Sequence, residues 1–134
     1  MARSLKSVGA ITLFVDDLER SSEFYERVFD VEAFHEDDEG TVILKFDNVF
    51  LRLLARSEAE KELLGKVALA DSSSGSAFEL ATFTEDIDAA RAALMELGIP
   101  IVFGPVDRPW GVTHVAFSDP DGHLWVLSAD TPHE

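Results

Sequence analysis

The sequence predicts an α+β fold built from two β-α-β-β-β halves, and three observations carry that prediction. The first is an internal echo. Gly9-Ala10-Ile11-Thr12-Leu13-Phe14-Val15-Asp16-Asp17-Leu18 near the start is matched by Phe78-Glu79-Leu80-Ala81-Thr82-Phe83-Thr84-Glu85-Asp86-Ile87 later on. In each copy an extended apolar segment ends in an acidic-Asp-aliphatic step and runs into an amphipathic helix. The second observation is that three strand-length apolar segments follow each helix. The third is turn chemistry between those segments, at Asp37-Asp38-Glu39-Gly40, Asp47-Asn48 and Asp119-Pro120-Asp121-Gly122. The copies lie about seventy residues apart, so the repeat unit is half the chain rather than a solenoid period. Two similar halves invite a pocket between them.

Taken in order, Ser7–Val15 alternates, with Ile11, Leu13 and Val15 on one face and Ala10, Thr12 and Phe14 on the other. Asp17 or a neighbour caps the helix that follows, where first-turn acids suit the positive end of the dipole. Leu18, Phe24, Tyr25, Val28 and Phe29 form its apolar stripe, while Glu19, Arg20, Glu23, Glu26 and Arg27 are solvated. Strands are predicted at 33–36, 41–46 and 49–55, and the acidic run Asp37–Glu39 reads as a solvated turn rather than a metal site. Ser57–Leu64 reads as a short helix and Asp71–Ser76 as a flexible link.

The second half repeats the order. A strand over 78–84 precedes a helix over 87–97 that Gly98 stops, and strands follow at 101–104, 112–118 and 123–129. The predicted organisation is one domain over 1–134, with modules at 8–55 and 76–129 joined by a connector at 56–75. The tail from Asp130 to Glu134 is expected to be mobile.

A chain of 134 residues is long enough to bury a real core. Its apolar stretches are strand-length, and Met1–Lys6 lacks a signal-peptide apolar region, so no membrane association is expected. Cysteine is absent, which excludes disulfides, thiolate metal sites and a Cys nucleophile and fits a cytoplasmic location. The formal charge of −15 argues against nucleic acid as a partner. It supplies solubility and is compatible with attracting a cationic small molecule. No Ser-His-Asp triad, phosphate-binding loop or nucleotide motif is present.

Val15-Asp16-Asp17-Leu18, Ser21 and Phe24-Tyr25, followed by Pro109-Trp110-Gly111 and Asp119-Pro120-Asp121-Gly122-His123-Leu124-Trp125, resemble the vicinal oxygen chelate superfamily. That superfamily holds glyoxalase I, extradiol dioxygenases, fosfomycin resistance enzymes and bleomycin resistance proteins. The resemblance spans residues 8–129 and implies that each half curls a mixed sheet around a cleft, with helices on the outer face. It further implies a homodimer, as short members form. Ile11, Leu13, Val15, Leu80, Val115, Phe117, Trp125 and Leu127 would then pack under helices, each large side chain contributing roughly 1.5–3 kcal/mol.

In metal-dependent relatives, His or Glu side chains at four inward positions hold a divalent ion. The motifs place those positions at Ala10, near Arg52, at Glu79 and at Val126. Only Glu79 could ligate, because methyl and isopropyl groups and a guanidinium donate no lone pair. His114 points inward beside it, but the pair lacks a third partner; His35, His123 and His133 read as strand-edge, turn and tail residues. The expectation is therefore no metal and no cofactor, with Arg52 and Glu79 replacing the ion by an ion pair that orients a ligand. Phe14, Phe50, Leu54 and Phe83 share the inward parity, and Trp110 stands at the rim behind Asp107-Arg108. In bleomycin resistance relatives such aromatics stack on a planar cationic drug.

The first reading is thus a metal-independent protein that binds and sequesters a planar or cationic antibiotic-like molecule through Phe14, Phe50, Arg52, Glu79, Phe83, Trp110 and His114. The alternative is an enzyme of the superfamily (a lyase, isomerase or dioxygenase) with Glu79 or His114 as catalytic base or metal ligand.

Overall fold

A computed structural model describes residues 5–132, so Met1–Ser4 and the tail residues His133 and Glu134 lie outside the described residues. The chain divides into two compact units, with the boundary between Leu69 and Ala70. In the first, β1 (Ala10–Val15), α1 (Leu18–Val28), β2 (Glu32–Glu36), β3 (Thr41–Lys45), β4 (Phe50–Ala55) and α2 (Arg56–Glu62) follow one another. In the second come β5 (Glu79–Phe83), α3 (Ile87–Glu96), β6 (Ile101–Asp107), β7 (Val112–Ser118) and β8 (Leu124–Asp130). The sheets have the orders β1-β4-β3-β2 and β5-β8-β7-β6. In each, the opening strand pairs parallel with the last one and the remaining pairs are antiparallel. The fold is α+β with two β-α-β-β-β modules, as the internal echo predicts.

The acidic-Asp-aliphatic step is a helix start in both copies. The Asp17 carboxylate accepts a 3.0 Å hydrogen bond from the Arg20 backbone N–H, and the Asp86 carboxylate accepts one of 3.0 Å from Ala89. Each Asp thus satisfies an amide that has no partner in the first helical turn. At the other end of α3, Gly98 at φ +75 closes the helix while the Ile99 amide donates to the Leu94 carbonyl.

Burial follows the period-two prediction in part: Ile11 and Leu80 are only half-buried, Leu54 on the opposite face is buried, and β8 is buried on both faces. Leu13, Val15, Leu51 and Leu53 are buried on one face of the first sheet, and α1 packs on β3 and β4 with Ser21 and Tyr25 buried. Tyr25 stacks on Phe29 at 5.9 Å between ring centroids. In the second unit Val115, Phe117, Trp125 and Leu127 form the corresponding core, with Phe117 stacked on Trp125 at 6.4 Å, and α3 packs on β6, β7 and β8.

The Asp37 turn is structural. Its carboxylate accepts from the backbone N–H groups of Glu39 and Thr41 and meets His35 Nε2 at 3.0 Å. The His35 hydrogen bond, with the Glu39 amide, holds the Asp37 carboxyl below the usual range. Asp119 performs the same task in the β7–β8 turn, where its buried carboxylate accepts from the Asp121 and His123 amides and contacts His123 Nδ1 at 2.7 Å.

Three predictions need correction. The strand expected to stop at Gly104 continues as β6 to Asp107. β6 lies at the sheet edge, where a proline costs no ladder bond, and irregular pairing around Phe103 absorbs Pro105. The link at 71–76 is tied down: Ser73 and Ser74 bond to the Asp71 carboxylate, and the Ser76 hydroxyl donates to the Gly122 carbonyl at 2.8 Å. The tail is anchored at its start, because Asp130 ends β8 and the Thr131 amide donates to the Gly111 carbonyl.

Candidate functional site

The open face of each sheet, opposite its buried aliphatic layer, carries the residues singled out from the sequence. On the first sheet β4 aligns Phe50 with Ala10, Arg52 with Thr12 and Leu54 with Phe14. Phe14, Phe50 and Arg52 therefore share one face, and Phe50 meets Phe34 at 5.0 Å. The predicted partner of Arg52 is corrected here. Its Nη1 and Nη2 each donate to one carboxylate oxygen of Glu62 on α2 at 2.8 Å, and Nη2 also reaches the Thr41 hydroxyl at 3.1 Å. This fork takes the place of the expected pair with Glu79. It raises the Arg52 pKa and lowers that of Glu62, in both cases chiefly through the shared hydrogen bonds.

On the second sheet β5 aligns Glu79 with Leu124 and Ala81 with Val126. Glu79, His114 and Trp110 come together in one pocket of about 500 Å³, with Phe78, Phe103, Arg108 and Val126 among its other wall residues. The Trp110 indole is 70% exposed and lies edge-on to His114 at 6.3 Å. Glu79 makes no side-chain hydrogen bond or ion pair among the described residues. Phe83 has the same parity on β5 as Glu79, but it is 84% exposed and is not part of the pocket wall. Parity selects a face of a strand; it does not select the segment of that face that is concave.

Arg108, Phe103 and Phe78 are among the wall residues that the sequence reading missed. The Arg108 guanidinium lies over the Phe103 ring at 5.6 Å, and its Nε–H donates to His114 Nδ1 at 3.2 Å. A ring that accepts at Nδ1 is the neutral tautomer protonated at Nε2. The loop between β6 and β7 is held by the Arg108 amide donating to the Val112 carbonyl at 2.7 Å and the Gly111 amide donating to Arg108 at 3.1 Å. Gly104 lets β6 run close to β7. At φ +101, a Cβ added there would stand 2.9 Å from the Val115 Cα and closer still to the His114 carbonyl. Arg108 directly before the Pro-Trp-Gly turn was the available signal, since a hairpin returns to His114 from there.

Of the positions that the resemblance assigns to metal ligands, only Glu79 carries a side chain that could ligate, so neither unit supplies the donors that a divalent ion needs. The Ala10 and Val126 side chains carry no lone pair, Arg52 is a cation bound to Glu62, and Glu79 has no partner among the described residues. His114, the other candidate ligand in the pocket, already gives its Nδ1 to Arg108. Among the described residues no group of three or more His, Asp or Glu could hold a metal, and no described helix is long and apolar enough to cross a membrane.

Comparison with known proteins agrees with the architecture. The family model of the glyoxalase/bleomycin resistance protein/dioxygenase superfamily matches residues 7–127. A glyoxalase/bleomycin resistance protein/dioxygenase from Nocardioides has a similar structure at a TM-score of 0.80 and 26% identity, covering 96% of this chain and 86% of its own. Lactoylglutathione lyase from Agrobacterium tumefaciens superposes at a TM-score of 0.74 and 21% identity, with 92% of each chain covered. TioX from Micromonospora sp. ML1 does so at 0.71 and 20%, covering 93% of this chain and 99% of its own. No curated protein sequence matches. With the duplicated module, the two Asp-capped helices and a family match over nearly the whole length, the chain belongs to the glyoxalase/bleomycin resistance protein/dioxygenase superfamily.

Proposed function

We propose that this protein binds a planar, cationic small molecule in the second-unit pocket, without a metal ion, and sequesters it as resistance members of the superfamily do. The observation that carries this reading is a Glu79 carboxylate, unpartnered among the described residues, sharing a pocket with the exposed Trp110 indole and the rings of Phe78 and Phe103. Aromatic faces attract cations by roughly 0.5–2 kcal/mol, and the carboxylate supplies the counter-charge. The net charge of −15 raises the local concentration of cations. The donor set at the family metal positions supports binding without an ion.

The enzymatic alternative, a lyase, isomerase or dioxygenase, draws support from the same unpartnered Glu79, which is free to accept a proton from a substrate. His114 is the less available acceptor, because its Nδ1 already takes the Arg108 Nε–H.

Titration with planar aromatic amines tests the binding reading. Trp110 is exposed and Trp125 only 5% so, which makes quenching of intrinsic fluorescence a report on Trp110. Saturable quenching is expected, with Glu79→Gln weakening affinity about 10-fold as a charge-assisted contact is lost. Absence of saturable binding, or affinity unchanged in both Glu79→Gln and Trp110→Ala as read by calorimetry, would reject the site.

A further inference from the structure

The pocket contains a cation as well as a carboxylate, and the cation is held in position. Phe103 supports one face of the Arg108 guanidinium at 5.6 Å, and the His114 Nδ1 takes its Nε–H at 3.2 Å. The neighbouring acid is committed elsewhere. The Asp107 carboxylate accepts from the Thr113 hydroxyl at 2.8 Å, and that hydroxyl lies 3.1 Å from Thr131 Oγ1. Among the described residues, Nη1 and Nη2 of Arg108 make no hydrogen bond or ion pair. Arg52 provides the internal contrast, since both of its terminal nitrogens are taken by Glu62.

We infer that Arg108 is an oxyanion receptor, so that the pocket takes an amphoteric planar aromatic molecule carrying a carboxylate or phosphate together with its cationic group. A guanidinium whose Nε is fixed presents its two terminal nitrogens as a planar fork, the geometry that matches two oxygens of one anion. Partial burial against Phe103 and His114 removes competing water and conformational freedom, so the ordering cost of the fork is met before the ligand arrives. Glu79, in the same pocket and without a partner, receives the cationic group. The inference rests on the binding reading above and adds to it the second charge of the ligand.

Calorimetry with three probes on one ring system separates the two ideas: aminomethylnaphthalene, naphthoic acid and aminomethyl-naphthoic acid. On the native protein the amphoteric probe is expected to bind about 10-fold tighter than the amine alone. In Arg108→Gln that ratio should fall to near one, and Arg108→Lys, which keeps the charge but loses the fork, should give an intermediate ratio. Thermal unfolding of each variant checks that the fold is retained. A phosphate counterpart of the amphoteric probe that gains more than the carboxylate identifies phosphate as the anion, with Arg108 still its receptor. An amine that binds while the added carboxylate contributes nothing overturns the inference and leaves the binding reading standing, as does a ratio that survives Arg108→Gln. If none of the three probes binds, both fall together.

Discussion

The two halves of the chain have the same strand order, the same parallel closing pair and the same Asp-capped helix, yet they treat polar groups on their open faces in opposite ways. In the first half Arg52 projects from β4 and meets Glu62, which α2 carries directly after that strand. In the second half β8 ends at Asp130 and no helix follows it among the described residues. Val126 occupies the position that corresponds to Arg52, and the charged groups on that side, Glu79 and Arg108, keep unused hydrogen-bonding capacity. A duplicated scaffold can thus satisfy its own charges in one copy and leave those in the other for a ligand. The difference comes from one short helix, one hairpin loop and the residues exchanged at matching strand positions, with strand order unchanged.

The largest effect is expected in the shared core. Phe117→Ala removes a fully buried ring stacked on Trp125 and should cost about 3–5 kcal/mol in denaturant unfolding. A loss below about 1 kcal/mol would mean that the second half does not depend on this core.

Glycine substitutions come next. Gly104→Ala forces a left-handed φ and a clash with the β7 backbone, so destabilisation of about 1–3 kcal/mol is expected, together with weaker ligand binding as the pocket wall shifts. Gly9→Ala in the first half has open space around its Cβ and should stay within about 0.5 kcal/mol of the native protein. Equal effects at the two sites would contradict the tight β6–β7 approach.

The smallest effect is expected at Glu62→Gln. The Arg52 hydrogen bonds lower the Glu62 pKa in the folded protein, so the pair contributes stability above the unfolded carboxylate value and loses it as pH falls through the folded one. The native protein should therefore lose this small contribution in the acid range, while the variant, lacking it already at neutral pH, shows a shallower decline there. Melting temperature followed from neutral to acid pH reads the difference, and parallel curves would remove the pair from the account. The same variant releases the Arg52 fork, which sharpens the comparison by giving the first half an unsatisfied cation of its own.

Much of this molecule was legible in its sequence because the governing signals are local. A side-chain period of two, with Asp at each helix start, predicts the strand faces and the caps, while the resemblance to the superfamily supplies the correspondence of Ala10 and Arg52 with Glu79 and Val126. A register slip would have reversed every face, so burial of Leu13, Leu53, Val115 and Trp125 made the alignment stringent. The placement of Glu79, Trp110 and His114 in one pocket follows from the same parity with the Pro-Trp-Gly turn.

What tertiary structure alone decided is who pairs with whom. Glu62 reaches Arg52 because α2 folds back beside β4, and that path depends on packing rather than on spacing. Arg108 and Phe103 entered the pocket because β6 continues past Pro105 with an irregular register, which no alternation rule predicts. Phe83 obeyed the parity and still stands exposed, since concavity arises from how strands and loops curve around a face. Local chemistry therefore determined which groups each surface offers, while long-range packing determined which of them remain available to a ligand, because an ion pair requires two charges to meet in space and the chain brings distant residues together only on folding.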